Sequence, residues 1–327
     1  MKIAILHDSD AAGPPEDPVI GQLESALTSA GHEAQRLTYG DQIEALVHEL
    51  LSSKPDLVFN LAESFAGRSA LESNVAGLLN LMGLRYTGSS PAGLLLAGDK
   101  SLAKKIFAFH GLPSPKFSTM YRGTVDWSGE IGFPLIVKPP QEDASLGISG
   151  KSVVADLKEL LDAVSALQAE YQSPVLVEEF IDGREFYVGV LGNASPEALP
   201  IIELDFTGFP ADRPRIASWE AKWGDEGDAR GAEYMGNESV FPENLDEALA
   251  EKIRSTALQA FQALRLRDYA RVDLRVTEAG DVYVIEVNPN CYLESDSEFA
   301  RAAARAGIAH EQLVLRIVEL AQARYAR

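Results

Sequence analysis

Cysteine is almost absent from this 327-residue chain, and basic residues are scarce beside acidic ones. The single cysteine, Cys291, excludes an internal disulfide framework and a multi-cysteine zinc site. With 29 basic and 49 acidic residues the formal net charge is −20, whereas binding to a nucleic-acid backbone or an anionic membrane requires a basic surface. We therefore expect no nucleic-acid partner and no membrane partner.

Long hydrophobic runs are also missing. The longest weakly polar stretch, near residues 92–97, falls far short of the roughly 20 apolar residues of a transmembrane helix. The opening MKIAILHDSD becomes charged too soon for a secretory signal. A hydrophobic fraction of 46% with 24% charged residues is typical of a globular protein with a large core. We expect a cytoplasmic protein, and about 150 residues per domain gives two or three domains.

Strand and helix patterns alternate at the start of the chain. The apolar runs at 2–7 and 56–60 predict buried strands, and the spacing of apolar residues predicts helices at 19–30, 43–51 and 72–81. Strands that alternate with helices indicate parallel βαβ units. The first segment is therefore predicted to be an α/β unit.

Strand patterns dominate the rest of the chain. The polar stretch at 211–237 is too long for an ordinary connection and predicts a functional loop. The turn at Asp281 is expected to join the last two strands as a hairpin. The other predicted elements are helices at 99–110, 156–170, 244–264 and 310–327, strands at 133–140, 152–154 and 174–180, and the strand segments EFYVGVL, ALPIIELDF, ARVDLRV and DVYVIEVNPN.

Four candidate site residues lie on the last two predicted strands, in YARVDLRV and VYVIEVNPN. Glu286 and Asn288 are two residues apart and so share one face, as do Arg271 and Asp273. If the strands pair, three oxygen ligands converge, which suits Mg²⁺ shared with substrate phosphates. The alternative is a set of polar residues on a solvated sheet face.

Three lysines fit a phosphate site. Lys138 ends an apolar strand, where a lysine needs a partner anion, Lys100 opens a helix, and Lys222 lies in the long polar stretch. The small residues and Gly147 of the turn at 142–150 allow backbone N–H groups to face a phosphate. Solvated surface lysines and an ordinary glycine-rich turn are the alternatives.

The order and spacing of several motifs resemble the ATP-grasp enzymes and, within them, the D-alanine–D-alanine ligases. The motifs are RYTGSS with DKSLAKK, FPLIVKPPQEDASLGIS, VLVEEFIDGREF, WEAKW, RDYARVDLRV and VIEVNPN. The resemblance implies α/β and α+β structure, namely an ATP-grasp fold with an N-terminal Rossmann-like domain. We place an N-terminal α/β domain at 1–90, a central ATP-grasp lobe at 91–183 and a C-terminal ATP-grasp lobe at 184–327.

The same resemblance implies a nucleotide site, a metal site and a substrate site, each built from matched positions. The ATP-contacting positions are Lys100, Lys138 and Lys222 for the phosphates, Glu178 and the backbone near Phe180 for the adenine, and Glu185 for the ribose. The remaining positions are Asp273, Glu286 and Asn288 for two Mg²⁺ (or Mn²⁺) ions, Arg271 for the tetrahedral intermediate, the turn serine Ser145, and Ser297 and Arg301 for the second substrate. Ser297 can equally be a helix N-cap.

Several departures from the family pattern cluster in the amino-acid sites. Ala144 replaces a serine, and Trp223 replaces the tyrosine that bonds to it in the family. A glutamate that holds the first substrate's ammonium has no clear counterpart near the N-terminus. Tyr292 replaces a glycine beside the oxyanion site, which narrows the pocket. The loss of three members of one hydrogen-bond network predicts an altered first-substrate pocket, although independent drift would leave the same pattern.

The implied activity is an ATP-dependent carboxylate–amine ligase that joins two amino acids or similar small molecules through an acyl phosphate. Cys291 is expected to pack rather than to react. A true D-alanine–D-alanine ligase is one alternative, and a ligase that adds amino acids to a protein terminus is another. From a different class, a degenerate nucleotide-binding regulator remains open, although the retained metal-ligand motif argues against it. The resemblance also suggests a homodimer.

Overall fold

Three β-sheets flanked by helices make up the part of the chain that the structure describes. The computed structural model describes residues 1–8, 16–122, 124–127, 130–141, 149–171, 174–209, 214–216 and 238–326. The predictions for Ser145, Lys222 and most of the loop at 211–237 therefore fall outside the described residues. Among those ranges, each helix is too short or too polar to cross a membrane.

The first sheet is parallel, as the alternating pattern predicts. Its elements are β1 (Lys2–Asp8), α1 (Pro18–Ser29), β2 (Glu33–Tyr39), α2 (Ile43–Ser53), β3 (Leu57–Asn60) and α3 (Glu72–Leu81). The strand order is β2–β1–β3. Asp17 caps α1 by accepting a hydrogen bond from the amide of Val19 at 3.0 Å, and Gly31, at φ +80°, turns the chain into β2.

The central sheet is antiparallel, in the order β5–β4–β8–β6–β7. Its elements and the two helices before it are α4 (Pro91–Gly98), α5 (Lys100–His110), β4 (Phe117–Tyr121), β5 (Thr124–Trp127), β6 (Leu135–Lys138), β7 (Val153–Val154), α6 (Leu157–Tyr171) and β8 (Val175–Glu179). The sequence patterns missed α4, β4 and β5. The strand predicted at 152–154 is shorter, because Ser152 belongs to a 3₁₀ turn.

The C-terminal sheet has the order β12–β11–β9–β13–β14, with β10 beside β9. Its elements are β9 (Arg184–Gly192), β10 (Glu197–Ala198), β11 (Ile202–Asp205), β12 (Glu238–Val240), α7 (Glu247–Ala263), β13 (Asp268–Val276), β14 (Val282–Asn288), α8 (Glu298–Arg305) and α9 (His310–Tyr325). The predicted hairpin at Asp281 is present as β13–β14. Helix α7 begins three residues later than predicted, because Asp246 caps it.

The first unit and the C-terminal sheet share one hydrophobic core. Ile20 of α1 and Ile317 of α9 belong to the same buried cluster. A polar clasp lies beside it: Arg324 donates to both carboxylate oxygens of Asp268, at 2.9 and 2.7 Å, and the amide of Gly88 donates to the same carboxylate at 2.8 Å. The Asp268 side chain is fully buried, and Arg324 is the cation that lies against it.

We expect Arg324→Leu to lower the free energy of unfolding by about 3 kcal/mol, because it leaves a buried carboxylate without its cation. Urea denaturation measures the change. Arg316→Leu is the matched control on the same helix, since Arg316 is 56% exposed and its pair with Glu319 spans 3.6 Å. Equal losses for the two variants would contradict this account of the clasp.

Candidate active site

The strand pair β13–β14 brings four predicted site residues together. Asp273 pairs with Glu286 across the ladder, and Arg271 pairs with Asn288. Arg271 donates to both oxygens of Asp273, at 2.8 and 2.9 Å, and the amide of Asn288 donates to Asp273 at 3.1 Å. Side chains on directly opposed residues share a face, so this polar group follows from the register.

The N-terminus of α5 contacts the polar residues of the strand pair. Asp99 caps the helix by accepting from the amides of Ser101 and Leu102 at 3.0 and 3.1 Å. The first helical residue, Lys100, is 3% exposed, and its Nζ lies 2.6 Å from Oε1 of Glu286. A helix that begins before the central sheet is thereby tied to the last strand of the C-terminal sheet.

A second ionic group is buried between α5 and strands β6 and β8 of the central sheet. Glu178 lies between Lys138, at 2.5 Å, and Lys104, at 2.8 Å, and all three side chains are at most 3% exposed. Burial lowers the pKa of Lys104, against the opposing charge of Glu178. Burial acts to raise the pKa of the Glu178 carboxyl, but Lys104 and Lys138 outweigh it and hold that pKa below its ordinary value.

Lys104 was missed by the sequence analysis. Its signal was its position four residues after Lys100, which places both lysines on one face of α5. The position of Lys138 at the end of an apolar strand predicted a partner anion, and the structure contains one. That anion is Glu178, a diagonal neighbour on the adjacent strand, since Ile136 lies opposite Glu178.

Glu185 is held by a residue that the sequence analysis did not single out. Arg275 donates to its Oε2 through Nε at 2.9 Å and Nη2 at 2.5 Å, and Tyr187 donates to its Oε1 at 2.9 Å. The guanidinium of Arg275 lies 5.7 Å from the ring centroid of Phe180. The backbone amide of Phe180 donates to the carbonyl of Pro134 at 3.0 Å. The predicted ribose and adenine positions thus adjoin one another.

Ser297 and Arg301 lie at the start of α8. The Ser297 hydroxyl accepts a hydrogen bond from the amide of Ala300 at 3.3 Å, so Ser297 is the N-cap that the sequence left as an alternative. Arg301 donates to the carbonyl of Ser239 at 2.7 Å. Both residues are therefore engaged within the protein.

The oxygen donors of the strand pair fit Mg²⁺ chemistry. Two carboxylates and one amide leave coordination positions for phosphate oxygens and water, which Mg²⁺ usually keeps. Among the described residues, no group of three or more histidine, cysteine, aspartate or glutamate side chains is placed to hold a metal. The carboxylates Asp273 and Glu286 are compensated instead by Arg271 and Lys100.

Cys291 is buried, as expected for a packing residue. Burial raises the pKa of its thiol to about 12; the charge of Arg271 opposes this shift and the charge of Asp273 adds to it. At pH 8 the thiolate fraction is on the order of one in ten thousand, and the thiolate is the reactive form.

We therefore expect iodoacetamide to leave the folded protein unmodified at pH 8 and to alkylate it promptly in urea. Because Cys291 is the single cysteine, the intact mass reports this site alone. Rapid modification without denaturant would contradict its burial.

The superposition on a solved ligase defines the class: this is an ATP-grasp fold. A solved D-alanine–D-alanine ligase from Bacillus anthracis, complexed with ATP, superposes with a TM-score of 0.73 at 22% identity, covering 98% of this chain and 97% of that one. The family model described as "D-ala D-ala ligase C-terminus" matches residues 106–319.

The chain belongs to the D-alanine–D-alanine ligase family and is an ATP-dependent ligase of that family, as the motif resemblance predicted. The D-alanine–D-alanine ligase of Desulfotalea psychrophila is 30% identical over 321 residues, which is 91% of this chain and 95% of that protein. The enzyme of the same name from Geobacter sulfurreducens is 34% identical, covering 91% and 86%. An uncharacterized protein of Sinorhizobium fredii is 34% identical, covering 95% and 89%.

Proposed function

We propose that the chain joins the carboxylate of one small amino-acid-like molecule to the amine of another, at the expense of ATP and through an acyl phosphate. The observation that carries this proposal is the Lys100–Glu286 pair at the edge of the strand pair. It supplies a lysine for a phosphate and a carboxylate for a metal at one point. Arg271 adds a cation held by Asp273 nearby.

The chemistry needs charge neutralisation more than a nucleophilic side chain. A donor carboxylate oxygen bonds to the γ-phosphorus while the bond to ADP breaks, and lysines such as Lys100 and Lys138 balance the phosphate charge. The amine nitrogen then bonds to the acyl carbon, the Arg271 guanidinium stabilises the tetrahedral oxyanion, and phosphate leaves as the amine loses a proton. When bound, Mg²⁺ neutralises phosphate oxygens, and Asp273 and Glu286 would hold it together with the amide oxygen of Asn288.

We further propose an altered first-substrate pocket. Its support is partly in the sequence, where Ala144 and Trp223 take the places of the family's serine and tyrosine; both lie outside the described residues. In the described part, the Tyr292 hydroxyl donates to Asp17 at 2.7 Å and joins the turn after β14 to α1. A lost charge-assisted hydrogen bond costs about 1.5–3 kcal/mol, so D-alanine should be a poorer donor by about one to two orders of magnitude.

The test is phosphate release and product mass across a panel of D- and L-amino acids and hydroxy acids, with ATP and Mg²⁺. Hydroxylamine added at high concentration traps any acyl phosphate as a hydroxamate, whichever amine the enzyme prefers. We expect hydroxamate from a donor other than D-alanine. Efficient D-alanyl-D-alanine formation would favour the activity for which the relatives are named, and ATP binding without phosphate release would favour a regulator.

A further inference from the structure

Arg275 continues the row of site residues along β13. Arg271, Asp273 and Arg275 are two residues apart in turn, so their side chains share one face of the strand. Arg275 lies directly opposite Glu185 in the ladder between β13 and β9, and its side chain is only 6% exposed. The row therefore runs from the proposed metal position to the proposed ribose position, close to the hinge, residues 180–183, that joins β8 to β9.

The Arg275 guanidinium also contacts the hinge. Its Nη1 donates to the carbonyls of Ile181 and Gly183, at 3.4 and 3.5 Å, and its carbon lies 5.7 Å from the ring centroid of Phe180. The hinge backbone lies against β13 as well: Gly183 has φ +151°, and a Cβ there would stand 2.1 Å from the carbonyl oxygen of Val276. The position of the hinge is thus set by a close backbone approach and by one buried cation.

The shape of the guanidinium suits this set of acceptors. Besides its Nε contact, Arg275 donates through Nη2 to Oε2 of Glu185 and to the carbonyl of Arg215, both at 2.5 Å. A guanidinium holds five N–H donors in one rigid plane, whereas an ammonium is a point charge. Tyr187 donates to the other oxygen, Oε1, at 2.9 Å. With that single donor among the described residues, Oε1 can accept a further hydrogen bond.

We propose that Arg275 is the positioning residue for adenosine recognition, because it fixes Glu185 to accept from a ribose hydroxyl and fixes the hinge beside the base. The inference rests on the proposed ligase site, in which Glu185 is the ribose position and Phe180 the adenine position, and it adds the residue that orients both. Arg275 acts through these two residues. It should therefore control the affinity for ATP and not the rate at saturating ATP.

ATP and 2′,3′-dideoxy-ATP form a matched pair of probes, because they differ only in the ribose hydroxyls. Titration calorimetry with Mg²⁺ gives Kd for each. We expect the wild-type protein to prefer ATP by about tenfold or more, the value of a hydrogen bond to a charged group, and Arg275→Met to reduce this preference to about twofold. With the donor that gives most hydroxamate, Arg275→Met should raise KM for ATP by about tenfold and change kcat by less than about twofold.

Arg184→Met is the matched control, with the same substitution next to Glu185. Arg184 is 43% exposed and pairs with Glu203 at 2.7 Å, so this variant should keep the wild-type preference. Arg275→Lys keeps the charge but not the planar fork, and it should recover the preference only in part. Thermal unfolding of each variant measures its stability separately from its nucleotide preference.

A double variant tests whether Arg275 acts through Glu185. If it does, Glu185→Gln with Arg275→Met should show the same preference between the two nucleotides as Glu185→Gln alone. The double variant removes both charges of a buried pair, so it leaves neither charge without its partner and keeps the test open if Arg275→Met unfolds.

The outcomes are distinguishable. Equal Kd values for the two nucleotides in the wild-type protein, or an unchanged preference in folded Arg275→Met, would overturn this inference. Full wild-type preference in Arg275→Lys would overturn it too, as would a further loss when Arg275→Met is added to Glu185→Gln. Absence of hydroxamate with every donor would overturn the proposed ligase function, while the binding preference, measured without turnover, would still decide the role of Arg275.

Discussion

Glu286→Gln is expected to abolish ATP-dependent product formation while the protein remains folded. The substitution removes one of two carboxylates at the proposed metal site and takes away the Glu286 carboxylate that Lys100, which is 3% exposed, contacts. A neutral amide cannot balance metal charge beside a triphosphate, so phosphoryl transfer loses its charge neutralisation. ADP release measures the activity, and circular dichroism with urea denaturation measures the fold.

Glu278→Gln is the matched control for that experiment. Glu278 lies exposed in the turn between β13 and β14, on the same hairpin as Glu286. The control should retain wild-type turnover. Near-normal turnover in Glu286→Gln would remove Glu286 from the proposed metal site.

Glu178→Gln should lower the free energy of unfolding by about 3–5 kcal/mol, because it leaves two buried lysines beside an uncharged amide. Both lysines lie within 2.8 Å of the carboxylate, and Lys104 is almost completely buried. Urea denaturation measures the loss. Glu179→Gln on the next residue is the control, since Glu179 is 27% exposed and its pair with Lys116 spans 3.9 Å.

A second substitution tests the mechanism of that loss. Lys104→Met replaces a buried cation with an apolar side chain of similar length, so the double variant with Glu178→Gln should recover part of the lost stability. Residues in direct contact show such non-additivity. If the stability lost in the double variant equals the sum of the losses in the two single variants, the ion pair is not the source of the effect.

The polar strand pair could be predicted because it depends on short-range rules. Side chains two residues apart on a strand share a face, so Glu286 and Asn288 had to point together. The register that the turn sets would place Asp273 opposite Ile285, and a bulge between Asp273 and Leu274, which the sequence did not predict, shifts it so that Asp273 lies opposite Glu286. The α/β start of the chain was predictable for the same reason, since its buried strands and helices have clear periods.

Other features depend on packing between distant segments. Lys104 resembles a solvated lysine in sequence, and only the contact with Glu178, more than 70 residues away, makes it a buried ion. Strand β2 was missed because only Leu37 and Tyr39 are buried along it, as befits a sheet edge. Arg275 was missed because its partner Glu185 lies 90 residues earlier in the chain.

The Lys100–Glu286 pair has a thermodynamic consequence for ligand binding. A nucleotide that draws Lys100 to its phosphates leaves Glu286 facing a polyanion, and a cation that draws Glu286 away separates it from the Lys100 ammonium. Each ligand alone must break the 2.6 Å contact, whereas the two together restore charge balance on both sides. Nucleotide and metal should therefore bind with positive cooperativity, and by reciprocity each should raise the affinity of the other by the same factor.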